Sequence, residues 1–385
     1  VLMKTLPVYL DYNATTPVDP RVLEAMEPYW TTHFGNPSSS LHAYGWVAAE
    51  AVAIAREQVA SLLGAAPDDV IFTGGATEAI NLALKGVAAA YHTRGRHIVT
   101  SAIEHRAVLE TCRALEEMGF EVTYVAPEPT GRVHPEAIAE TLRSDTILVA
   151  LMWANNETGV LQPVEEVGAL VRERGILFFT DAVQAVGKVP VFAEHVDLLA
   201  CSAHKFYGPK GVGALYVRHQ PRVQLYPLIH GGGQEGGLRS GTVNVPGVVG
   251  MGKAAELLQA LQPEETRRLR QLRDRLEQAL MAQGACVQGA SVERLPQTSS
   301  LTLPGVPVEK LLPETRAVAY ATGSACASDT GRPSHVLTAM GCTPEEARST
   351  IRLSLGRYTT EEDVTRAIAV FSEALSRLTP AKTTV

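Results

Sequence analysis

Lys205 closes the run Cys201-Ser202-Ala203-His204-Lys205 and is followed by Phe206-Tyr207-Gly208-Pro209-Lys210-Gly211-Val212-Gly213. An apolar strand expected over 197–202 would deliver the serine, the histidine and the lysine at its end, and the glycines beyond leave room for a bound group to approach. Taken alone, a lysine in a glycine-rich turn is a solvated surface charge. A second stretch changes that reading: Ile176-Leu177-Phe178-Phe179-Thr180-Asp181 is an apolar strand that ends in a carboxylate, with Gln184 on the next turn. An amine that forms a Schiff base and a carboxylate that keeps a ring nitrogen protonated are the two groups that pyridoxal phosphate requires. Lys205 is thus the candidate catalytic amine and Asp181 the candidate ring partner.

Other stretches supply groups suited to the same cofactor. Gly74-Gly75-Ala76-Thr77-Glu78 follows an expected strand over 69–73 and opens a helix to about residue 90. The free N–H groups of a helix start, with the Thr77 hydroxyl, make a phosphate cradle; a plain connection would have the same look. His105, at the end of a strand over 97–100, can stack its ring on an aromatic cofactor or sit on the surface. Asn155-Asn156 follows a strand over 146–152 and offers uncharged donors and acceptors, or simply forms a turn. Phe34-Gly35-Asn36-Pro37-Ser38-Ser39-Ser40 suits a loop lying over a site. Arg239 and Thr242, in a flexible glycine-bearing run, could serve phosphate, and Arg352, alternating with apolar residues on an expected strand, could clamp a carboxylate. Cys326 lies in Thr322-Gly323-Ser324-Ala325-Cys326-Ala327-Ser328, where small neighbours suit a nucleophile that must travel or an inert thiol in a loop.

The elements that would position these groups alternate strand and helix from about residue 70 to 217. That pattern implies a mainly parallel α/β sheet covered on both faces, with its ligand crevice at the carboxyl ends of the strands. Before it come a short strand at 8–10, a helix over 20–26, and a helix over 48–63 marked by Val52, Ala55, Val59 and Leu62 and ended by Gly64. After it, two helices over 247–261 and 264–283 are expected, split by Pro263. Strands near 299–303, 318–322 and 349–355 and a last helix over 360–378 would form a smaller α+β domain.

A chain of 385 residues suits two unequal domains. A net charge of −7 argues against non-specific binding of nucleic acid or an anionic membrane and favours a small-molecule substrate. No run is long and apolar enough to span a bilayer, and the first ten residues lack a secretory pattern, so a cytoplasmic enzyme is expected. The five cysteines, 112, 201, 286, 326 and 342, are scattered and contain no Cys-x-x-Cys pair. No metal site or disulfide framework is expected, and the four besides Cys326 are read as structural.

Assembled, the chain resembles the cysteine desulfurases of the NifS/IscS group, pyridoxal-phosphate enzymes of the class V aminotransferase fold. The likeness is carried in order by Tyr9-Leu10-Asp11-Tyr12-Asn13-Ala14-Thr15-Thr16-Pro17, Phe34-Gly35-Asn36-Pro37, Gly75-Ala76-Thr77-Glu78, Asn155-Asn156-Glu157, Ser202-Ala203-His204-Lys205, Arg239-Ser240-Gly241-Thr242 and Gly323-Ser324-Ala325-Cys326. It implies a fold-type-I PLP-dependent transferase with a large domain over 15–258 and a small one made of 1–14 and 259–385. It also implies Lys205 as the Schiff-base lysine, Asp181 on the ring nitrogen, His105 on the ring face, and Gln184 and Asn156 near the ring hydroxyl. Ala76, Thr77, Ser202 and His204 would hold the phosphate, with Thr242 arriving from the neighbouring subunit of a homodimer. Arg352, with Asn156 and Asn36 or Asn13 nearby, would bind the carboxylate of L-cysteine, and Cys326 would carry the sulfur to an acceptor or iron–sulfur scaffold protein. The segment after Cys326 and Gly231-Gly232-Gly233-Gln234-Glu235 are also similar to selenocysteine lyases. A selenocysteine lyase, another enzyme of this fold, and a non-catalytic module that docks sulfur acceptors are the alternatives.

Overall fold

The computed structural model describes residues 6–322 and 333–378. Cys326 therefore lies outside the described residues. The chain opens with β1 (Val8–Tyr9), α1 (Pro20–Met26), α2 (Pro28–Thr31) and α3 (Ala43–Leu63). It continues through β2 (Val70–Thr73), α4 (Ala76–Tyr91), β3 (His97–Ser101), α5 (Arg106–Glu117) and β4 (Glu121–Val125). Next come α6 (Pro135–Ala139), β5 (Thr146–Ala150), α7 (Val164–Glu173), β6 (Leu177–Asp181), β7 (Leu198–Ser202) and β8 (Gly213–Val217). The C-terminal part holds α8 (Val245–Met281), β9 (Cys286–Val287), β10 (Thr298–Thr302), α9 (Val308–Glu314) and β11 (Val318–Ala319). It ends with α10 (His335–Ala339), α11 (Pro344–Arg348), β12 (Thr350–Ser354) and α12 (Glu361–Leu378).

Seven strands form one sheet in the order β2-β8-β7-β6-β5-β3-β4. Every neighbouring pair is parallel except those made by β8, which runs antiparallel to both β7 and β2. Reversing twice restores the direction, so the carboxyl ends of β2, β3, β5, β6 and β7 all lie along one edge. β6 shows why the sheet is covered on both sides: Phe178 joins a core with α3, α7 and α8, while its neighbour Phe179 joins a second core with α4 and α5. Both rings are almost completely enclosed, and each contributes about 1.5–3 kcal/mol of burial. A third core gathers Val8 and Leu10, Leu269 to Leu280 of α8, Leu301, Leu353 and Phe371. There β12, β10 and β9 make an antiparallel sheet, and β1 pairs with β11.

Two element expectations need correction. α3 begins at Ala43 rather than 48, because the ring of His42 accepts the N–H of Gly45 and caps the helix; no serine, threonine or aspartate marked that start, and Tyr44 and Trp46 in the first turn are exposed. The two helices expected on either side of Pro263 are one, α8. Proline removes one helical hydrogen bond, yet both flanks are held elsewhere. Met251, Ala254, Ala255 and Leu258 pack into the large core, while Thr266 Oγ1 donates to the Lys188 carbonyl and Glu265 pairs with Arg357.

Arg357 ties several parts of the chain together. Its guanidinium meets Asp19 at 2.7 Å and Glu265 at 2.5 Å and lies 4.1 Å from the centre of the Tyr207 ring. Tyr207 sits two residues after Lys205 in a left-handed conformation (φ 68°) that is costly for a bulky residue. Its N–H donates to Thr16 Oγ1 and its hydroxyl accepts the N–H of Arg357, so neighbours on both sides hold it there. Removing one member of a buried charge cluster costs about 3–5 kcal/mol, so Arg357→Met should lower the unfolding free energy obtained from urea titration by an amount in that range; a loss below ~1 kcal/mol would show the cluster to be dispensable. Hydrogen bonds from Arg21 first, then from Arg357 and Tyr358, hold the Asp19 carboxyl well below the usual range. Its contribution is present above about pH 4, the ordinary carboxylate value, and is lost on further acidification. Asp19→Asn should flatten that acid limb of the stability profile.

Candidate active site

The shared edge of the large sheet opens into a cavity of ≈ 700 Å³. Lys205 reaches it from a single turn, Ala203–Lys205, that leaves the end of β7. Its Nζ donates to the carbonyls of Asn13 (2.6 Å) and Ala14 (2.8 Å). Asp181, the last residue of β6, is buried beside it and accepts the N–H of Val183. Burial pushes the Asp181 carboxyl upward, which the nearby His105 and Lys205 oppose. A carboxylate so placed is best stabilised by a cationic N–H, and a protonated ring nitrogen is such a group.

His105 caps α5, its Nδ1 accepting the N–H of Ala107, so the ring is fixed at the mouth of the cavity. Burial lowers its pKa, leaving a neutral, flat face. Gln184 donates through Nε2 to the Asn13 carbonyl, while its buried Oε1 has no partner. That orphan acceptor fits a ring hydroxyl. At the other end of the cavity α4 starts at Ala76, after Gly75 at φ 146°, a conformation that requires glycine. The first N–H groups of a helix have no acceptor within it, so Ala76 and Thr77 present donors beside Ser202 and His204. His204 is pushed down to about 4 by burial and by Lys205, Lys210 and Lys188. A neutral imidazole bonded through Nδ1 to Thr15 Oγ1 can still donate through its other nitrogen. Donors at one end, a carboxylate and an unpaired amide oxygen at the other, and a lysine between them fit pyridoxal phosphate.

Arg352, on β12, closes the cavity from the C-terminal part and is about 2% exposed. One terminal nitrogen meets Asp11 at 2.7 Å and the other the Asn156 carbonyl at 3.0 Å, while Nε is buried without a partner. A substrate carboxylate entering here finds one unused N–H and a fork it can share with Asp11.

The description "Aminotransferase class-V" matches residues 8–367. A cysteine desulfurase IscS of Anaeromyxobacter dehalogenans (strain 2CP-C) is 52% identical over 377 residues, 97% of this chain and 93% of that protein. The solved structure of a "NifS-like protein" superposes with a TM-score of 0.90 at 42% identity, covering 97% of this chain and 100% of that one. A second, "SspA in complex with cysteine", gives 0.79 at 38% identity over 91% and 99% of the two chains. The chain belongs to the class-V aminotransferases, in their cysteine desulfurase branch. Its cofactor is pyridoxal phosphate, and its fold is the mixed α/β fold of the NifS-like structures.

In this desulfurase the structure brings Asn13, Ala76, Thr77, His105, Asn156, Asp181, Gln184, Ser202, His204, Lys205 and Arg352 to one cavity. Not all are available to a ligand. The side-chain amide of Asn13 is committed to Thr298 and to the Asn156 carbonyl, so this residue acts as a strut. Asn36, expected near the substrate, is exposed and does not line the cavity; its Oδ1 accepts the N–H of Ser38, the turn geometry its loop demands. Thr242 is exposed and outside the cavity of its own chain. Arg239 pairs with Glu78 at 2.9 Å instead of facing the cradle. Among the structural cysteines, Cys112 and Cys201 are buried, whereas Cys286 is exposed at the edge strand β9.

Sequence reading missed two groups beside the site, the half-buried Lys188 and the buried Glu104. Lys188 follows Gln184 by four residues and reaches under the lysine turn. Glu104 immediately precedes His105; its Oε1 accepts from Ser101 Oγ and the Met152 N–H, while Oε2 has no partner. Burial pushes Glu104 up to about 8. Between the ordinary value of about 4.3 and about 8 the folded state binds the extra proton, so this group makes stability fall as pH rises through that window. Glu104→Gln keeps the acceptor and cannot ionise; its stability should decline less than wild type between pH 5 and 8 in thermal melts, and parallel profiles would refute the assignment.

Proposed function

We propose that this cysteine desulfurase uses Lys205 as the amine that binds the cofactor and moves the α-proton of L-cysteine, and Cys326 as the thiol that takes the sulfur. The observation that carries the first half is the convergence of Lys205, Asp181 and the α4 cradle on one cavity at a single sheet edge. When bound, pyridoxal phosphate supplies an electron sink for charge developing at the substrate α-carbon. Arg352 and Asn156 would hold the carboxylate and amino-acid backbone against it, and His105 would fix the ring face. Released Lys205, within reach of the same space, would remove the α-proton and return it.

Sulfur transfer balances without an outside oxidant. The C–S bond of L-cysteine breaks, an S–S bond forms to Cys326, and alanine leaves with the proton and electron pair at the former C–S carbon. The two sulfurs are oxidised by the two electrons that the carbon gains. The related SspA, solved in complex with cysteine, supports this substrate. The persulfide would then pass to a sulfur-acceptor protein such as an iron–sulfur scaffold. Reduced thiols suit such chemistry, and Cys112, Cys201, Cys286 and Cys342 are all unpaired, which supports a cytoplasmic setting. A division into 15–258 and 1–14 with 259–385 is supported by the separate core around Leu10, Leu301 and Phe371.

The exposed side chains of Trp30, Phe34, Leu41, Tyr44 and Trp46 support a homodimer, because a cluster of large apolar groups so close in sequence marks an interaction surface. Such a dimer would let Thr242 reach the partner's phosphate cradle. Wild type should sediment as a dimer at micromolar concentration, and a monomer that holds the cofactor equally well would refute this arrangement.

Two substitutions separate the halves of the chemistry. Lys205→Ala should abolish the borohydride-stable link between cofactor and chain. Cys326→Ser should keep the cofactor and its spectral response to L-cysteine yet lose at least 100-fold in alanine release, about the scale of losing an activated nucleophile. After brief exposure of wild type to L-cysteine, mass spectrometry should find one extra sulfur on the Cys326 peptide. Finding it on Cys112, Cys201, Cys286 or Cys342, or undiminished alanine release by the serine variant, would overturn the assignment.

A further inference from the structure

Lys188 lies under the turn that carries Lys205. Its Nζ ends 2.6 Å from the Lys205 main-chain oxygen, to which it donates. The approach is built in by the residue before it. Gly187 has φ 79°, and a Cβ there would stand 2.6 Å from Leu258 Cδ1 and 3.2 Å from Phe206 Cβ, so only glycine lets the two backbone segments pack this closely. From the other side Thr266 Oγ1 donates to the Lys188 carbonyl and fixes this stretch to α8. The side chain borders a cavity of ≈ 10 Å³ shared with Tyr12, Asn13, Tyr207 and Glu265. That space holds at most one water. Glu265, the carboxylate bordering it, is engaged by Arg357 at 2.5 and 3.3 Å.

We propose that Lys188 is a positioning residue for Lys205: it pins the Lys205 carbonyl and places a second cation behind the reactive amine, so that Lys205 is presented as the neutral nucleophile. The inference rests on Lys205 being the cofactor-bearing lysine. Lys205 disfavours the protonated form of Lys188, the coupling acts equally in the other direction, and a lysine beside another cation is activated in this way. When Lys188 is protonated, its carbonyl partner accepts from the ammonium more strongly than from an amine, and the coupling then eases loss of the proton from Lys205. Among the titratable groups that act on Lys205 are Asp181, His105 and His204, and around Lys188, besides Lys205, stand His204, Glu265 and the phenols of Tyr12 and Tyr207. Burial, and then Lys205, push Lys188 down to about 7, in keeping with a pair that shares one proton near neutrality.

The test uses cofactor-free protein, labelled with pyridoxal phosphate and borohydride for short times from pH 6 to 9, with the Lys205 peptide quantified by mass spectrometry. Lys188→Met should move the midpoint of Lys205 labelling up by about one pH unit or more, which is roughly tenfold slower labelling at pH 7. Lys188→Arg should stay near wild type because the charge is kept. An unmoved midpoint in Lys188→Met overturns the proposal, even if labelling falls equally at every pH, since that is the mark of lost packing alone. An equal upward shift in Lys188→Arg also overturns it. Lys188→Gln, which retains a donor for the Lys205 carbonyl but no charge, provides the same readout if the methionine variant fails to fold, and it should shift as methionine does. Labelling of a lysine other than 205 in wild type would refute the parent assignment of Lys205, an outcome distinct from a midpoint that does not move.

Discussion

Residues 11–16 cross between the large sheet and the C-terminal part of the chain, and their polar groups must be satisfied there without bulk water. The Asn13 N–H goes to Ser354 Oγ, its carbonyl accepts from both Lys205 and Gln184, and its amide reaches Thr298 and the Asn156 carbonyl. Thr16 gives its N–H to the His204 carbonyl and receives the N–H of Tyr207 at its hydroxyl. Leaving any one of these groups unpaired would cost about 1–3 kcal/mol. The segment therefore fixes Lys205, Gln184, Asn156 and His204 relative to one another, and the lysine turn can hold the uncomfortable backbone of Tyr207 because the same strap and Arg357 surround it.

The second constraint is directional. With six of seven strands running the same way, loops from distant points in the chain open on one edge, and the candidate cofactor-binding groups that follow β2, β3, β5, β6 and β7 line one cavity there. The environment they meet in is dry. Burial raises Asp181, Glu104 and Glu157 and lowers His105, His204 and Lys188. A site with this bias favours neutral forms until a charged partner enters, which suits a cofactor carrying both a phosphate and a protonatable ring. Two sets of enclosed ion pairs lie beside the site, where Arg352 meets Asp11 and Arg357 meets Asp19 and Glu265.

Most of the site was legible because strand ends are legible. An apolar run that stops at a polar residue announces both a buried strand and the side chain it delivers, and this pattern gave Asp181, Ser202 and Lys205 without any alignment. The glycines after β2 marked a strand-to-helix turn, and only the lysine and aspartate stretches made a cradle the better reading of it. Local signals also placed α1, the end of α3 at Gly64 and nearly every strand to within a residue or two. They failed at Pro263, where propensity argued for a break that packing on both flanks overrides, and at His42, whose ring caps a helix in place of the usual short polar side chain.

What only the tertiary structure decided concerns residues whose role depends on distant partners. Nothing near Asn13 in sequence reveals that its amide is spent on Thr298 and Asn156, and nothing near Arg239 reveals Glu78 as its partner. Asn36 and Thr242 look like site residues by motif, yet each is exposed and outside the cavity of its own chain. Lys188 and Glu104 carried no distinctive local pattern because the enclosure of a charged group, partial at Lys188 and complete at Glu104, is made by elements packed over it from elsewhere. The sequence by itself determined which side chains the strand ends and tight turns present, since those are set by local periodicity and backbone conformation. Which of them are free to meet a ligand, and which are consumed by one another, was decided by long-range packing, because hydrogen-bond and charge satisfaction are settled only when the chain closes on itself.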